Sequence, residues 1–143
     1  MSKTAYNKII SKLERLDEYL KILKEIQKVN KKKFTEDFHF YGLAERYFQL
    51  SIEIVLDVGK LILVAKNLKR AEDNSDIFEI LNANVIISKK LFYRFAGINS
   101  FRNILVHDYE KIDREIVYKK LQTNLEDFFD FKKEIAKFLK KEM

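Results

Sequence analysis

No proline interrupts the 143 residues of this chain, and only three glycines do. Proline breaks a helix by removing a backbone donor and clashing with the preceding turn, so nothing of that kind opposes long helices here. Hydrophobic residues at 47% and charged residues at 35% stand against disorder and against a turn-rich β architecture. The expectation is an all-α, up-and-down bundle in one domain spanning 1–143.

The apolar spacing divides that bundle into four long helices and one short one. Ile9, Leu13, Leu16, Leu20 and Leu23 recur in steps of four and three, the seam of an amphipathic helix over about 5–29. Asn30 and the lysines at 31–33 break the stripe, and Thr35 with Glu36 and Asp37 supplies a cap and first-turn acids for a second helix. That helix runs to about Asn67, with Tyr41, Ala44, Phe48, Val55, Val58 and Ile62 facing inward. Gly59 within it lowers helix propensity by about 1 kcal/mol relative to alanine, which implies that another helix comes close there. Along the same helix Glu45, Arg46, Gln49, Glu53 and Asp57 form a polar series.

After a loop at 67–75, Asp76 and Glu79 read as a capping box opening a third helix. It buries Ile77, Leu81, Val85, Leu91 or Phe92, and Phe95, and ends at Gly97 in a left-handed conformation. Asn99 or Ser100 caps a short helix bearing Arg102, and Asp113 caps the last long helix, about 114–140. Its buried face is Val117, Leu121, Leu125, Phe128, Ile135 and Phe138.

Lys and Arg number 28 against 22 Asp and Glu, a net charge of +6 that suits a polyanionic partner without demanding one. Without cysteine there are neither disulfides nor thiolate metal sites. The start Met-Ser-Lys-Thr has no signal-peptide core, and the longest apolar run, Leu61 to Ala65, is far below the roughly 20 residues that span a bilayer. A cytoplasmic protein without a membrane segment is expected.

One stretch concentrates chemistry: Phe101-Arg102-Asn103-Ile104-Leu105-Val106-His107-Asp108-Tyr109. Histidine is the side chain that titrates unaided near neutral pH, and the chain holds two. Arg102 is a permanently charged planar fork suited to phosphate, and His107 can move a proton as general acid or base. The other histidine, His39, has no arginine or phenol in register and reads as structural. On one unbroken helix, residues five apart point roughly 140° apart at about 3.6 residues per turn. Convergence therefore needs a bend or helix end between Arg102 and Tyr109, or a second protomer. No Cys, His and carboxylate spacing suggests a metal site.

The order Arg102, Asn103, Val106, His107, Tyr109 resembles the Arg-Asn-x-x-Val-His-x-Tyr motif of HEPN-domain ribonucleases, specifically the HepT toxin branch. The segment Ala44 to Gly59 also looks like the second helix of HepT-type proteins. The chain departs in having Ile98, Asn99 and Ser100 between Gly97 and Phe101, where relatives often have the glycine nearly abutting the motif. The resemblance implies a HEPN-like fold and a metal-independent endoribonuclease without cofactor, acting on RNA as a homodimer with two motifs at one cleft. Arg102 and His107 would be catalytic, with Asn103 and Tyr109 supporting or contacting RNA. The implied antitoxin is a nucleotidyltransferase of the MntA type, which in this family adenylylates the motif tyrosine, here Tyr109. The competing reading is a non-catalytic helical module that binds nucleotide or tethers a nucleotidyltransferase.

Overall fold

The computed structural model describes residues 1–107 and 112–142, the side chain of His107 excepted. Eight helices make up this described part: α1 Lys3–Gln27, α2 Lys31–Glu36, α3 Phe38–Ala65, α4 Asn74–Ala83, α5 Lys89–Arg94, α6 Ile98–His107, α7 Arg114–Thr123 and α8 Leu125–Lys141. The long segments α1, α3, α4–α5 and α7–α8 form the expected up-and-down bundle, and α6 is its short motif-bearing member.

Ser2 opens α1 by accepting from the Ala5 amide, and all five residues of the seam are buried, with Ile26 continuing it. The lysine run forms the short α2, capped by Asn30, because Phe34 at its centre is wholly buried and packs on Tyr118. Consequently Asp37, and not Thr35, caps α3, accepting from the His39 amide at 2.9 Å. That bond, with the His39 side chain second, holds the Asp37 carboxyl below its ordinary value. His39 is thus an exposed partner of the cap.

Gly59 is buried in α3, and a Cβ built there would collide with Cγ2 of Ile77 in α4, the close approach its presence implied. The expected third helix is two helices. Asp73, paired with Asp76, forms the capping box of α4 in place of Asp76 with Glu79. The helix then ends at Asn84, and Val85 takes a left-handed φ of 58° and stands 90% exposed, so it is not the core residue its spacing suggested. Ile86 and Ile87 turn inward in its place. Gly97 does not adopt a left-handed φ; Phe95 caps α5, and Gly97 leads straight into α6 with open space around it.

The last helix is also divided, at Asn124. Asp113 caps α7 as expected, whereas α8 starts without a side-chain cap bond. At that junction Asp127 is buried and accepts from Arg94 Nε at 2.8 Å and from Asn124 Nδ2 at 3.1 Å, while Arg94 Nη2 reaches the Thr123 carbonyl. One buried carboxylate therefore ties α5 to the turn between α7 and α8. In the last turn of α7, Gln27 Nε2 donates to the Leu121 carbonyl and Gln122 Nε2 to the Gln27 carbonyl, each at 2.9 Å, fixing the end of α1 on α7. Among the described residues no helix is long and apolar enough to cross a membrane.

Candidate active site

Helix α6 is laid on the bundle by Ile98, Phe101 and Leu105, spaced three and four apart and all buried. Phe101 meets Phe48 of α3 edge-on, with ring centroids 5.3 Å apart, and Phe48 in turn meets Phe128 of α8. Lys120 lies over the outer face of Phe101. With Phe101 fixed in this way, the next residue, Arg102, comes to the flank of α6 that faces α3.

There Arg102 Nε donates to Glu53 Oε1 at 2.8 Å. The two side chains are 25% and 36% exposed, so the pair sits at the rim and solvent reaches it. The remaining polar series of α3 separates into distinct surroundings. Asp57 pairs with Lys12 of α1 at 3.4 Å, and Arg46 is exposed. Glu45 is partly buried, and this burial raises its carboxyl above the ordinary value against the opposing attraction of Arg114. Arg114, the first residue of α7, lies 3.9 Å over the Tyr41 ring and donates to the Thr35 carbonyl at 3.1 Å.

Of the residues singled out by the motif, Arg102 is thus placed against α3, and Asn103 beside it is exposed. The side chain of His107 and all of Tyr109 lie outside the described residues. The helix itself continues through His107 without a break, so no bend separates Arg102 from His107. On such a helix the two positions point about 140° apart.

Two residues gain significance only in three dimensions. Glu53 stood in the sequence as one acid of a series; an acid one turn and a residue beyond the buried Phe48 was the available signal. Arg114 carried none beyond following the cap Asp113. Among the described residues no three His, Asp or Glu side chains gather as a bound metal ion would require.

A helical bundle with an arginine-to-histidine motif on a short helix defines a class, and comparison with known proteins defines it further. Residues 16–135 match the family described as ribonuclease HepT-like. The chain is 30% identical over 111 residues to the mRNA nuclease HepT of Shewanella oneidensis, covering 76% of this chain and 84% of that protein. It is 25% identical over 131 residues to the tRNA nuclease HepT of Aphanizomenon flos-aquae, covering 92% of this chain and 89% of the relative. Its fold superposes with a TM-score of 0.82 on the tri-AMPylated HEPN toxin of Shewanella oneidensis in complex with an MNT antitoxin, at 26% identity, covering 96% and 99% of the two chains. The chain belongs to this HepT-like family of endoribonucleases.

Proposed function

We propose that the chain is the toxin of a toxin–antitoxin pair, cutting RNA without a metal ion at a site shared by two protomers. The observation that carries this reading is the continuous α6, which bears Arg102 against α3 and His107 five residues on. Positions five apart on one helix stand about 140° apart around its axis, so a second copy of the motif facing the first would bring both functions to one phosphate. The names of the two nuclease relatives and the antitoxin-bound neighbour support it.

The reaction is attack of a ribose 2′-oxygen on its adjacent phosphorus. The new O2′–P bond forms as the P–O5′ bond breaks, leaving a 2′,3′-cyclic phosphate and a free 5′-hydroxyl. One imidazole takes the 2′-hydroxyl proton, the other protomer's imidazole gives a proton to the leaving oxygen, and Arg102 neutralises the phosphate. Asn103 contributes a hydrogen-bonding side chain beside it. A nucleotidyltransferase antitoxin of the MntA type silences the site by attaching adenylate to Tyr109, adding negative charge and bulk where RNA phosphate must sit.

Incubating the pure protein with cellular RNA in EDTA tests this directly. Cyclic-phosphate ends from the wild type and none from His107→Ala, at similar melting temperatures, are expected. Intact RNA, or cleavage by wild type that needs a divalent ion, overturns the reading. For the antitoxin, co-expression should add adenylate masses to the wild type and none to Tyr109→Phe.

A further inference from the structure

The motif's arginine does not stand alone: its Nε is held by Glu53 from a different helix. We propose that Glu53 is a positioning residue for RNA cleavage, aiming the Arg102 guanidinium at the scissile phosphate. This rests on the functional reading above and adds a residue from outside the motif to its machinery.

Three features lead there. A guanidinium has two edges that can grip an oxyanion by two parallel bonds, one through Nε and one through the two terminal nitrogens. Glu53 occupies the first with a single oxygen at 2.8 Å, and among the described residues no other group bonds Arg102. The terminal edge is thus left for phosphate while the Cδ–Nε direction is fixed. Second, Glu53 is rooted in the most deeply embedded helix: Ile52 and Val55 beside it are fully buried. Its backbone is therefore a fixed base from which the carboxylate reaches the arginine, as an orienting group needs. Third, solvent reaches both partners, so the pair's contribution to folding is modest, nearer the about 0–1 kcal/mol of surface ion pairs than that of a fully buried one.

The cost of losing orientation differs in kind from the cost of losing stability. Without Glu53, Arg102 keeps its charge but samples several rotamers, and a misplacement of about 1 Å at a reacting centre lowers a rate by up to roughly 100-fold. The loss should fall on kcat, because the arginine still attracts RNA, and removal of a carboxylate from the cleft does not weaken that attraction.

The test compares wild type with Glu53→Ala and Glu53→Gln in two arms. In ¹⁵N-edited NMR the Arg102 Nε–H signal, identified by its loss in Arg102→Lys, should exchange slowly with water in the wild type and quickly in Glu53→Ala. In RNA cleavage, Glu53→Ala should lower kcat about 10- to 100-fold with KM within a factor of three and melting temperature within a few degrees. Glu53→Gln, which keeps an acceptor oxygen, should recover most of that loss, and Glu53→Ala should add nothing in an Arg102→Ala background. Unchanged kcat in Glu53→Ala, a full additional loss in the Arg102→Ala background, or no rescue by glutamine overturns the proposal. If the wild type leaves RNA intact, the ribonuclease reading fails, and fast exchange of Nε–H in the wild type separately refutes the hold by Glu53.

Discussion

Adding one methyl group at Gly59 should destabilise the protein, although alanine is the better helix former. The exchange improves helix propensity by about 1 kcal/mol. Against it, the new Cβ would enter the space of Ile77 Cγ2, and Ile77 is fully buried. A β-branched side chain in a helix has essentially one χ1 rotamer, so this methyl cannot swing aside. Overpacking a filled core costs about 1–3 kcal/mol. Taking the upper part of that range, because neither partner can yield, the net loss is about 1–2 kcal/mol. For a chain of this size it amounts to a fall of about 3–8 °C in melting temperature. Circular dichroism melts and urea titrations of Gly59→Ala measure it. The sign should reverse in an Ile77→Ala background, where Cγ2 is gone: there Gly59→Ala should stabilise by up to about 1 kcal/mol. A Gly59→Ala protein as stable as wild type, or one whose penalty persists unchanged without Ile77, would refute the argument that α4 contact selects glycine here.

Arg102→Lys should cut RNA about 10- to 100-fold more slowly, since losing a charge-assisted bond is worth about 1.5–3 kcal/mol, while its melting temperature stays near wild type; initial rates and melts on the same sample decide it. Ser51 is fully buried in α3 and, among the described residues, its hydroxyl has no hydrogen-bond partner, so Ser51→Ala should raise stability by about 1–2 kcal/mol in urea titration. Glu45 has a folded-state carboxyl raised above the ordinary value of 4.5, so its ionisation opposes folding at neutral pH and that opposition disappears as pH falls below the unfolded value. Glu45→Gln should therefore melt above wild type at pH 7, with the gap closing once pH drops below 4.5.

Those effects trace how much of the molecule could be read beforehand. The seams of α1 and α3 were plain, because burial on one side of a long helix imposes the three-and-four spacing on every turn. The break at Val85 was not. No proline or glycine marks it, and valine is a poor occupant of a left-handed conformation. What ends α4 there is tertiary: Ile86 and Ile87 are both buried, and Asn82 and Asn84 satisfy the freed carbonyls of Ile87 and Ile80. The interruption at Asn124 is likewise set from outside, by Arg94 reaching Asp127 across 33 residues. The motif itself was legible as chemistry, since arginine, histidine and tyrosine stand together in the chain. Its partner Glu53 was not, because a carboxylate on a helix surface looks the same whether it faces water or a guanidinium 49 positions away.

The Arg102–Glu53 pair joins two elements with unequal hold on the bundle. Helix α3 buries eleven residues along its length, whereas α6 is anchored by Ile98, Phe101 and Leu105. Amide protons around Glu53 should therefore exchange more slowly than those of α6, which has fewer buried anchors to release. Warming would then dismantle the site before the fold: α6 leaves first, carrying Arg102 and His107 with it, and returns on cooling to a surface still in place to receive it. Such an opening would uncover Phe48, which Phe101 covers, so its cost is set by the burial of the three anchoring side chains.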